Sequence, residues 1–317
     1  MSGIWKYTDP YEYVNRVEKE EMPPLIITVA ITGGASGKER NPNLPETIDE
    51  QVASTYEAYN AGAASVHIHA RDETGAETST DTENYREVNR RVRECCPDII
   101  IGNTTGANLW EPREKVLNIL EAEPEMCSLN MGPFHVYALH KKREYPLKGR
   151  PEDIQRDVVL DATWGDIERL ASKAKEKNIK PEMEIYNASM LWNVQRLIKA
   201  GLIEKPYWLQ LIFASFFEIP TPKSLVHMVD CVPPDALWSV IGVGAHQLPL
   251  TTMAIIMGGH VRVGFEDNLY YRRGELVKSN AQLVERTVRI ARELGREIAT
   301  PAQAREMLGL SPAPRKY

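Results

Sequence analysis

Two histidines spaced two residues apart are the clearest chemical feature of this 317-residue sequence. His67 and His69 lie in residues 64–70, an apolar and β-branched run that predicts a strand. Residues two apart in a strand share a face, so both imidazoles point one way while Val66 and Ile68 point the other. Two imidazoles on one face suit a zinc site, which needs a third protein ligand. The alternative is a pair of hydrogen-bonded core histidines, and we favour the metal.

A candidate third ligand lies in residues 258–268, near the end of the sequence. Arg262 falls within a strand-like run, and Glu266 and Asp267 follow in the next loop. Glu266 is the most plausible third ligand. An arginine inside a barrel is costly to bury without a carboxylate, which Asp267 or Glu184 can supply. The alternative is a structural ion pair at the barrel mouth with no metal.

Polar residues also end two other predicted strands. The hydroxyl and backbone groups after the third strand form a reasonable cradle for a substrate carboxylate, and two polar side chains share a face of the fourth. These candidates for substrate binding are Thr104, Thr105, Gly106, Ala107, Ser128 and Asn130. The alternative is that they are loop and cap residues with local hydrogen bonds. His246, at the start of a predicted helix, is a further residue that can approach a ligand.

The elements that must position these residues alternate between strand-like and helix-like segments. The predicted strands are residues 25–32, 64–70, 98–103, 126–130, 180–186, 206–213, 237–242 and 260–263, and a helical pattern follows each, including 112–121 and 275–294. This alternation predicts an α/β protein, a (β/α)8 TIM barrel. A doubly wound open sheet is the alternative, although Gly33 and Gly34 after the first strand lack the third glycine of a dinucleotide fingerprint.

The predicted organisation is a single catalytic domain, residues 25–317, behind an N-terminal arm, residues 1–24. A polar insertion of about residues 133–162 follows the fourth strand. The formal charge of −6 argues against general affinity for nucleic acid or acidic membranes. The four cysteines show no CxxC pair, and no apolar run approaches the ~20 residues of a membrane span. The N-terminus also lacks the layout of a signal peptide, so we expect a cytoplasmic protein.

Together these segments resemble the β-keto acid cleavage enzymes, typified by 3-keto-5-aminohexanoate cleavage enzyme. The resemblance runs from about residue 24 to residue 304. It rests on LIITVAITGG, NPNLP, AGAASVHIHARD, IIIGNTTG, PEMEIY, GGHVRVGFEDN, SNAQLV and ATPAQAREML. It implies a zinc-bearing (β/α)8 barrel, usually homotetrameric, that converts a β-keto acid and acetyl-CoA into acetoacetate and a new acyl-CoA.

The resemblance also implies roles for individual residues. The implied zinc ligands are His67, His69 and Glu266. The implied base, which forms a carbanion at the substrate's C2, is Asp267, steered by Arg262 and Glu184. The residues implied to contact the keto acid are Thr104, Ala107 and Ser128.

One position departs from the family pattern. The type enzyme carries a glutamate that pairs with the substrate's amino group, and the matching residue here is Ala35, in the loop GGASGKER. We therefore expect a cationic aminohexanoate to be disfavoured. Lys38 or Arg40 could recognise an anionic tail, but we favour the interpretation that both are solvated loop charges.

Two other functions remain open from the sequence. A zinc hydrolase of the amidohydrolase sort also uses two histidines on a barrel strand, normally the first strand rather than the second. A catalytically silent metal-binding barrel is the other alternative. Hydrolysis without acetyl-CoA would favour the former, and the absence of any turnover would favour the latter.

Overall fold

The computed structural model describes residue 5 and residues 7–106, 113–214 and 217–317. Its strands are β1 (Ile27–Ala30), β2 (Ser65–Ile68), β3 (Ile100–Asn103), β4 (Met126–Asn130), β5 (Phe134–His140), β6 (Ile154–Leu160), β7 (Lys180–Ile185), β8 (Tyr207–Phe213), β9 (Ala236–Gly242), β10 (His260–Val263), β11 (Tyr270–Arg272) and β12 (Glu275–Leu276). Eight parallel strands close in the order β1-β10-β9-β8-β7-β4-β3-β2. Because β1 pairs with both β2 and β10, the sheet has no open edge, and the predicted TIM barrel is confirmed.

The helices are α1 (Pro10–Glu18), α2 (Ile48–Asn60), α3 (Thr82–Cys95), α4 (Trp164–Glu176), α5 (Leu191–Lys199), α6 (Pro222–Asp230), α7 (Gln247–Ile256), α8 (Asn280–Glu293) and α9 (Pro301–Leu308). Thr47 begins α2 with a capping box, in which its hydroxyl accepts from the Glu50 amide and the Glu50 carboxylate accepts from the Thr47 amide. No helix in the described part of the chain is long and apolar enough to cross a membrane.

Two predicted helices differ from the structure. The segment expected at residues 112–121 is a 3₁₀ helix, Arg113–Ala122, which buries Val116, Ile119, Leu120 and Ala122. The helix expected from residue 275 begins only at residue 280, because Gly274, with φ of +79°, turns β11 into β12 and Ser279 caps α8.

The N-terminal arm packs on the end of the barrel where the strands begin. Trp5 lies against Gly258, just before β10, and Tyr7 meets the ring of Trp238 edge-on at 5.4 Å. The Tyr13 hydroxyl donates to the Ile256 carbonyl at 3.1 Å. Helix α9 covers the same end, where its apolar side chains pack with Ile26, just before β1, and with Trp208 of β8. The N-terminal arm and α9 therefore lie away from the carboxyl ends of the strands, where barrel enzymes have their active sites.

The insertion after β4 is a β-hairpin at the other end of the barrel. Strands β5 and β6 pair antiparallel from Phe134 opposite Leu160 to His140 opposite Ile154, and alternate residues are exposed. We call this pair the mouth hairpin, because the side chains on the less exposed face of β5, from Phe134 to His140, line the cavity described below.

Buried ion pairs hold the mouth hairpin to the loop that follows β1. Arg143 donates to Glu46 at 2.6 and 2.8 Å and to Glu39 at 3.0 Å. Arg150 donates to Glu39 at 2.8 Å. These guanidinium and carboxylate groups are almost fully buried, and mutual pairing is what makes such burial tolerable. The hairpin is therefore a fixed wall of the barrel mouth.

Candidate active site

A cavity of about 250 Å³ opens at the carboxyl ends of the barrel strands. The ionisable side chains that line it near the strand ends are those of His69, Glu184, Arg262, Glu266 and Asp267. The sequence placed these residues on three separate segments, and barrel closure brings them together. All five belong to the set predicted to carry the chemistry.

His67, His69 and Glu266 form a cluster that can hold a metal ion. Glu266 Oε2 lies 3.8 Å from His67 Nε2 and 3.4 Å from His69 Nε2, and the three ligand atoms lie within 4.8 Å of one another. Ligands at the usual Zn–N and Zn–O distances of ~2.0–2.1 Å stand roughly 3.4 Å apart in a tetrahedral site. The donor set of two nitrogens and one oxygen is typical of zinc with one position left open.

Two glycines allow Glu266 to reach the histidines. Gly264 has φ of +146°, and a Cβ there would overlap the Ala30 carbonyl at the end of β1. Gly33 has φ of +66°, and a Cβ there would overlap the side chain of Glu266. Any other residue at either position would combine an unfavourable backbone conformation with a steric clash. The close crossing of these two loops thus places Glu266 beside β2.

Glu182 orients the first of the two imidazoles. Its Oε2 lies 3.4 Å from His67 Nδ1, and its Oε1 accepts from Gln210 Nε2 at 2.8 Å. A carboxylate on Nδ1 leaves Nε2 of His67 as the metal-facing atom, the usual arrangement behind a metal-bound histidine. Oε2 of Glu266 accepts no hydrogen bond from the described residues although it is buried. The cluster therefore fits a divalent metal, with an unsatisfied oxygen where a ligand is needed.

The charges of the cluster suit a cation. Burial raises the pKa of Glu266, but Arg262 and the two histidines outweigh it and hold that pKa well below its ordinary value. Burial lowers the pKa of His69, and Glu266 only partly offsets it. For His67, burial lowers the pKa, but Glu266 and Glu182 bring it above its ordinary value. An ionised Glu266 and a neutral His69 are the forms that bind metals, and a bound cation would replace the proton that the neighbouring carboxylates favour on His67.

Arg262 links the cluster to a second carboxylate. Its Nε and Nη2 donate to the two oxygens of Asp267 at 3.0 and 2.7 Å, and Nη2 also donates to Glu266 at 2.6 Å. Glu184 Oε1 lies 3.8 Å from Nη1. Burial raises the pKa of Asp267 above its ordinary value, and Arg262 opposes this. The sequence left Asp267 or Glu184 open as the carboxylate for Arg262, and the arginine donates to Asp267 beside the candidate metal site.

The predicted substrate-binding residues separate into two groups. Ala35, Thr104, Gly106 and Asn130 line the cavity. Thr105 and Ser128 are buried and bond to each other, with the Thr105 amide donating to Ser128 Oγ at 2.8 Å and the Thr105 hydroxyl donating to the Ser128 carbonyl at 2.6 Å. These bonds join the segment after β3 to β4, and neither residue is among those that line the cavity. Ala107 lies outside the described residues.

The charges of the loop after β1 are engaged away from the cavity. Lys38 pairs with Glu50, and Arg40 donates to the Ser36 hydroxyl at 3.2 Å. Neither is among the described residues that line the cavity, and neither is His246, which lies in a short 3₁₀ turn after β9. The geometry agrees with the interpretation of Lys38 and Arg40 as loop charges.

Sequence reasoning missed several residues of the site. The Tyr186 hydroxyl lies 2.8 Å from Asn130 Oδ1 and 3.0 Å from Glu184 Oε2. The motif PEMEIY places it two residues beyond Glu184, on the same strand face, and that spacing could have identified it. Phe134 stacks on Tyr186 with ring centroids 3.9 Å apart. The polar composition of the insertion concealed its part in the cavity wall.

Replacing Glu182 is expected to weaken metal binding without touching a ligand. Glu182→Gln removes the charge behind His67 Nδ1, and loss of such a partner typically lowers metal affinity by about 10–100-fold. Titration of the metal-free protein against a competing chelator measures this directly. Ser239→Ala is the matched control, because Ser239 is buried on β9, two strands away from β7, and its hydroxyl has no hydrogen-bond partner in the described chain. An unchanged affinity in Glu182→Gln would contradict the orienting role.

The fold and this group of residues together define an enzyme of the TIM-barrel class with a candidate His-His-Glu metal site. Residues 24–310 match the family model described as beta-keto acid cleavage enzyme. The chain belongs to this family, as the sequence motifs predicted.

Individual relatives agree with the family assignment. The 3-keto-5-aminohexanoate cleavage enzyme of Fusobacterium nucleatum is 38% identical over 289 residues, which cover 91% of this chain and 99% of that protein. The 3-oxoadipate:acetyl-CoA acetyltransferase of Cupriavidus necator is 35% identical over 293 residues, covering 90% of this chain and 95% of the relative. The solved structure of ObcA with oxaloacetate has a TM-score of 0.64 at 19% identity, over 85% of this chain and 68% of that one. At that identity the likeness concerns the fold alone.

Proposed function

We propose that the protein is a zinc-dependent β-keto acid:acetyl-CoA acyltransferase that forms acetoacetate and a new acyl-CoA. The observation that carries the proposal is one cavity lined by His69 and Glu266, two members of the candidate metal cluster, and by Asp267. Relatives named as acetyl-CoA transferases of 3-oxoadipate and of 3,5-dioxohexanoate support acetyl-CoA as the second substrate.

The metal-binding cluster and the carboxylate of Asp267 have separate roles in the proposed reaction. A divalent metal held by His67, His69 and Glu266 supplies Lewis-acid polarisation of a keto oxygen, which acidifies the adjacent C2. Asp267 accepts the C2 proton, and Arg262 keeps both of its oxygens in place for that transfer. Glu184 faces the same guanidinium and helps to orient it.

The C2 carbanion then attacks the carbonyl carbon of acetyl-CoA. CoA leaves the acetyl carbon as a thiolate and attacks C3 of the substrate, and the bond between C2 and C3 then breaks in a retro-Claisen step. C1 and C2 leave with the acetyl group as the acetoacetate carbanion, to which Asp267 returns the C2 proton, while C3 and its chain leave as the new thioester. The carboxylate of the keto acid is proposed to bind to Thr104, Gly106 and Asn130, which line the cavity. The bonds between Thr105 and Ser128 are proposed to keep these residues in place.

The test is turnover with labelled acetyl-CoA. The purified protein, with its own metal, is incubated with six-carbon β-keto acids and acetyl-CoA carrying ¹³C in both acetyl carbons. The proposal expects the label in C3 and C4 of acetoacetate and none in the acyl part of the new thioester. Consumption of the keto acid without acetyl-CoA would favour the hydrolase, and no consumption at all would favour the silent metal-binding barrel. The implied homotetramer and cytoplasmic location stay predictions, and sedimentation of the purified protein tests the first.

A further inference from the structure

The cavity wall beyond the reacting groups is apolar. The residues that form it come from β8, β9 and their loops and from the mouth hairpin, and include Phe134, Val136, Ile212, Phe217 and Val243. Phe134 and Phe217 meet edge-on with centroids 5.3 Å apart, so the aromatic part of the wall is close-packed. A substrate's acyl chain that extends away from the candidate metal site therefore lies against apolar side chains.

The charged groups at the end of the cavity near the mouth hairpin are paired with opposite charges within the protein. Glu77 Oε1 lies 3.4 Å from Arg150 Nη1 and 3.8 Å from Arg156 Nη2. His140 also lines the cavity, and burial, together with Arg150, lowers the pKa of its imidazole, which is therefore uncharged at neutral pH. Arg143 is held by Glu39 and Glu46.

The positive charge of Arg262 at the other end of the cavity is likewise matched by carboxylates, although its Nη1 makes no hydrogen bond to a described residue. Arg262 is shared among Asp267, Glu266 and Glu184. A charged group at the far end of a substrate would lose its hydration on entering the cavity. Among the described residues, none that lines the cavity carries an unpaired opposite charge to compensate for that loss. Burying a charge without a partner is strongly unfavourable.

We propose that this enzyme selects β-keto acids whose acyl chain is uncharged and apolar, with the mouth hairpin as the selecting wall. The inference rests on the proposed function and names the substrate class of the same site. A cavity of about 250 Å³ falls below the ~300–1,000 Å³ typical of drug-sized ligands, so the chain is short.

The first experiment compares three six-carbon substrates that differ in terminal charge. These are 3-oxohexanoate, which is neutral in its chain, 3-oxoadipate, which is anionic, and 3-oxo-5-aminohexanoate, which is cationic. With acetyl-CoA in excess, kcat/KM for 3-oxohexanoate is expected to exceed each of the others by at least about 100-fold, because each charged chain loses its hydration without gaining a partner.

The second experiment adds a charge to the wall. Val136→Lys is expected to raise kcat/KM for 3-oxoadipate relative to 3-oxohexanoate by at least about tenfold, and Val136→Glu to do the same for 3-oxo-5-aminohexanoate. Val159→Lys and Val159→Glu are the controls, because Val159 lies on the opposite face of the hairpin and is 65% exposed. They are expected to leave all ratios unchanged.

The outcomes separate this inference from the proposed function. If acetyl transfer occurs but a charged substrate comes within tenfold of 3-oxohexanoate, the inference is overturned and the proposed function stands. If none of the three is consumed, both are overturned. If Val136 variants shift the ratios no more than Val159 variants, the hairpin is not the selecting wall. The comparison of the three substrates uses only the parent protein, so it tests the inference even if a Val136 variant misfolds.

Discussion

Asp267→Asn is expected to lower kcat by about 10²–10⁴-fold, the usual contribution of a positioned base. The amide keeps the shape of the side chain but accepts no proton at C2. The three metal ligands are unchanged, so bound metal, measured by elemental analysis, is expected to stay at the level of the parent protein. Steady-state rates at saturating β-keto acid and acetyl-CoA measure the loss.

Asn268→Ala is the control for disturbance of the same loop. Asn268 donates to the Tyr270 carbonyl at 2.7 Å and accepts from its amide at 3.0 Å, so its removal loosens the loop without touching the carboxylate of Asp267. We expect a change in kcat of less than about tenfold, as for a substitution outside the chemistry. Asp267→Asn with near-parental kcat and full metal would show that another group takes the proton.

His69→Ala is expected to abolish both metal binding and turnover. It removes one of only two imidazoles in the cluster and leaves Glu266 Oε2 without the nearer of its nitrogen neighbours, at 3.4 Å. A site reduced to two protein ligands binds zinc far more weakly. Metal content after gel filtration and acetoacetate formation are the two measurements.

The control for this loss is His140→Ala. His140 is buried and lines the same cavity but lies outside the cluster, so this variant is expected to keep its metal. In the parent protein, a strong chelator followed by dialysis is expected to remove activity, and added Zn²⁺ to restore it. Full metal in His69→Ala, or full activity in the chelated protein, would refute the assignment of the site.

Much of this site follows from local periodicity. The two-residue repeat of a strand places His67 and His69 on one face, and the structure has Val66 and Ile68 in the core on the other. The same repeat in PEMEIY places Glu182 and Glu184 together, and both are buried inside the barrel. Such patterns can be recognised in the sequence because the backbone geometry of a strand does not depend on what surrounds it.

Other features arise only where distant segments meet. That Glu182 faces His67 while Glu184 faces Arg262 depends on how β7 is positioned across the barrel from β2 and β10. The pairing of Thr105 with Ser128 likewise comes from the contact of β3 with β4, and each side chain bonds to the backbone of the other residue.

The His67–His69 pair, its inward direction and the eight-strand alternation were determined by residue order alone, since each reflects a repeat within a few neighbouring residues. Tertiary structure decided the rest. Glu266 reaches the histidines only because loops at Gly33 and Gly264 cross closely, and the insertion becomes a cavity wall only because Arg143 and Arg150 meet carboxylates of another loop. Contacts between segments far apart in the chain depend on closure of the whole barrel, which no local repeat specifies.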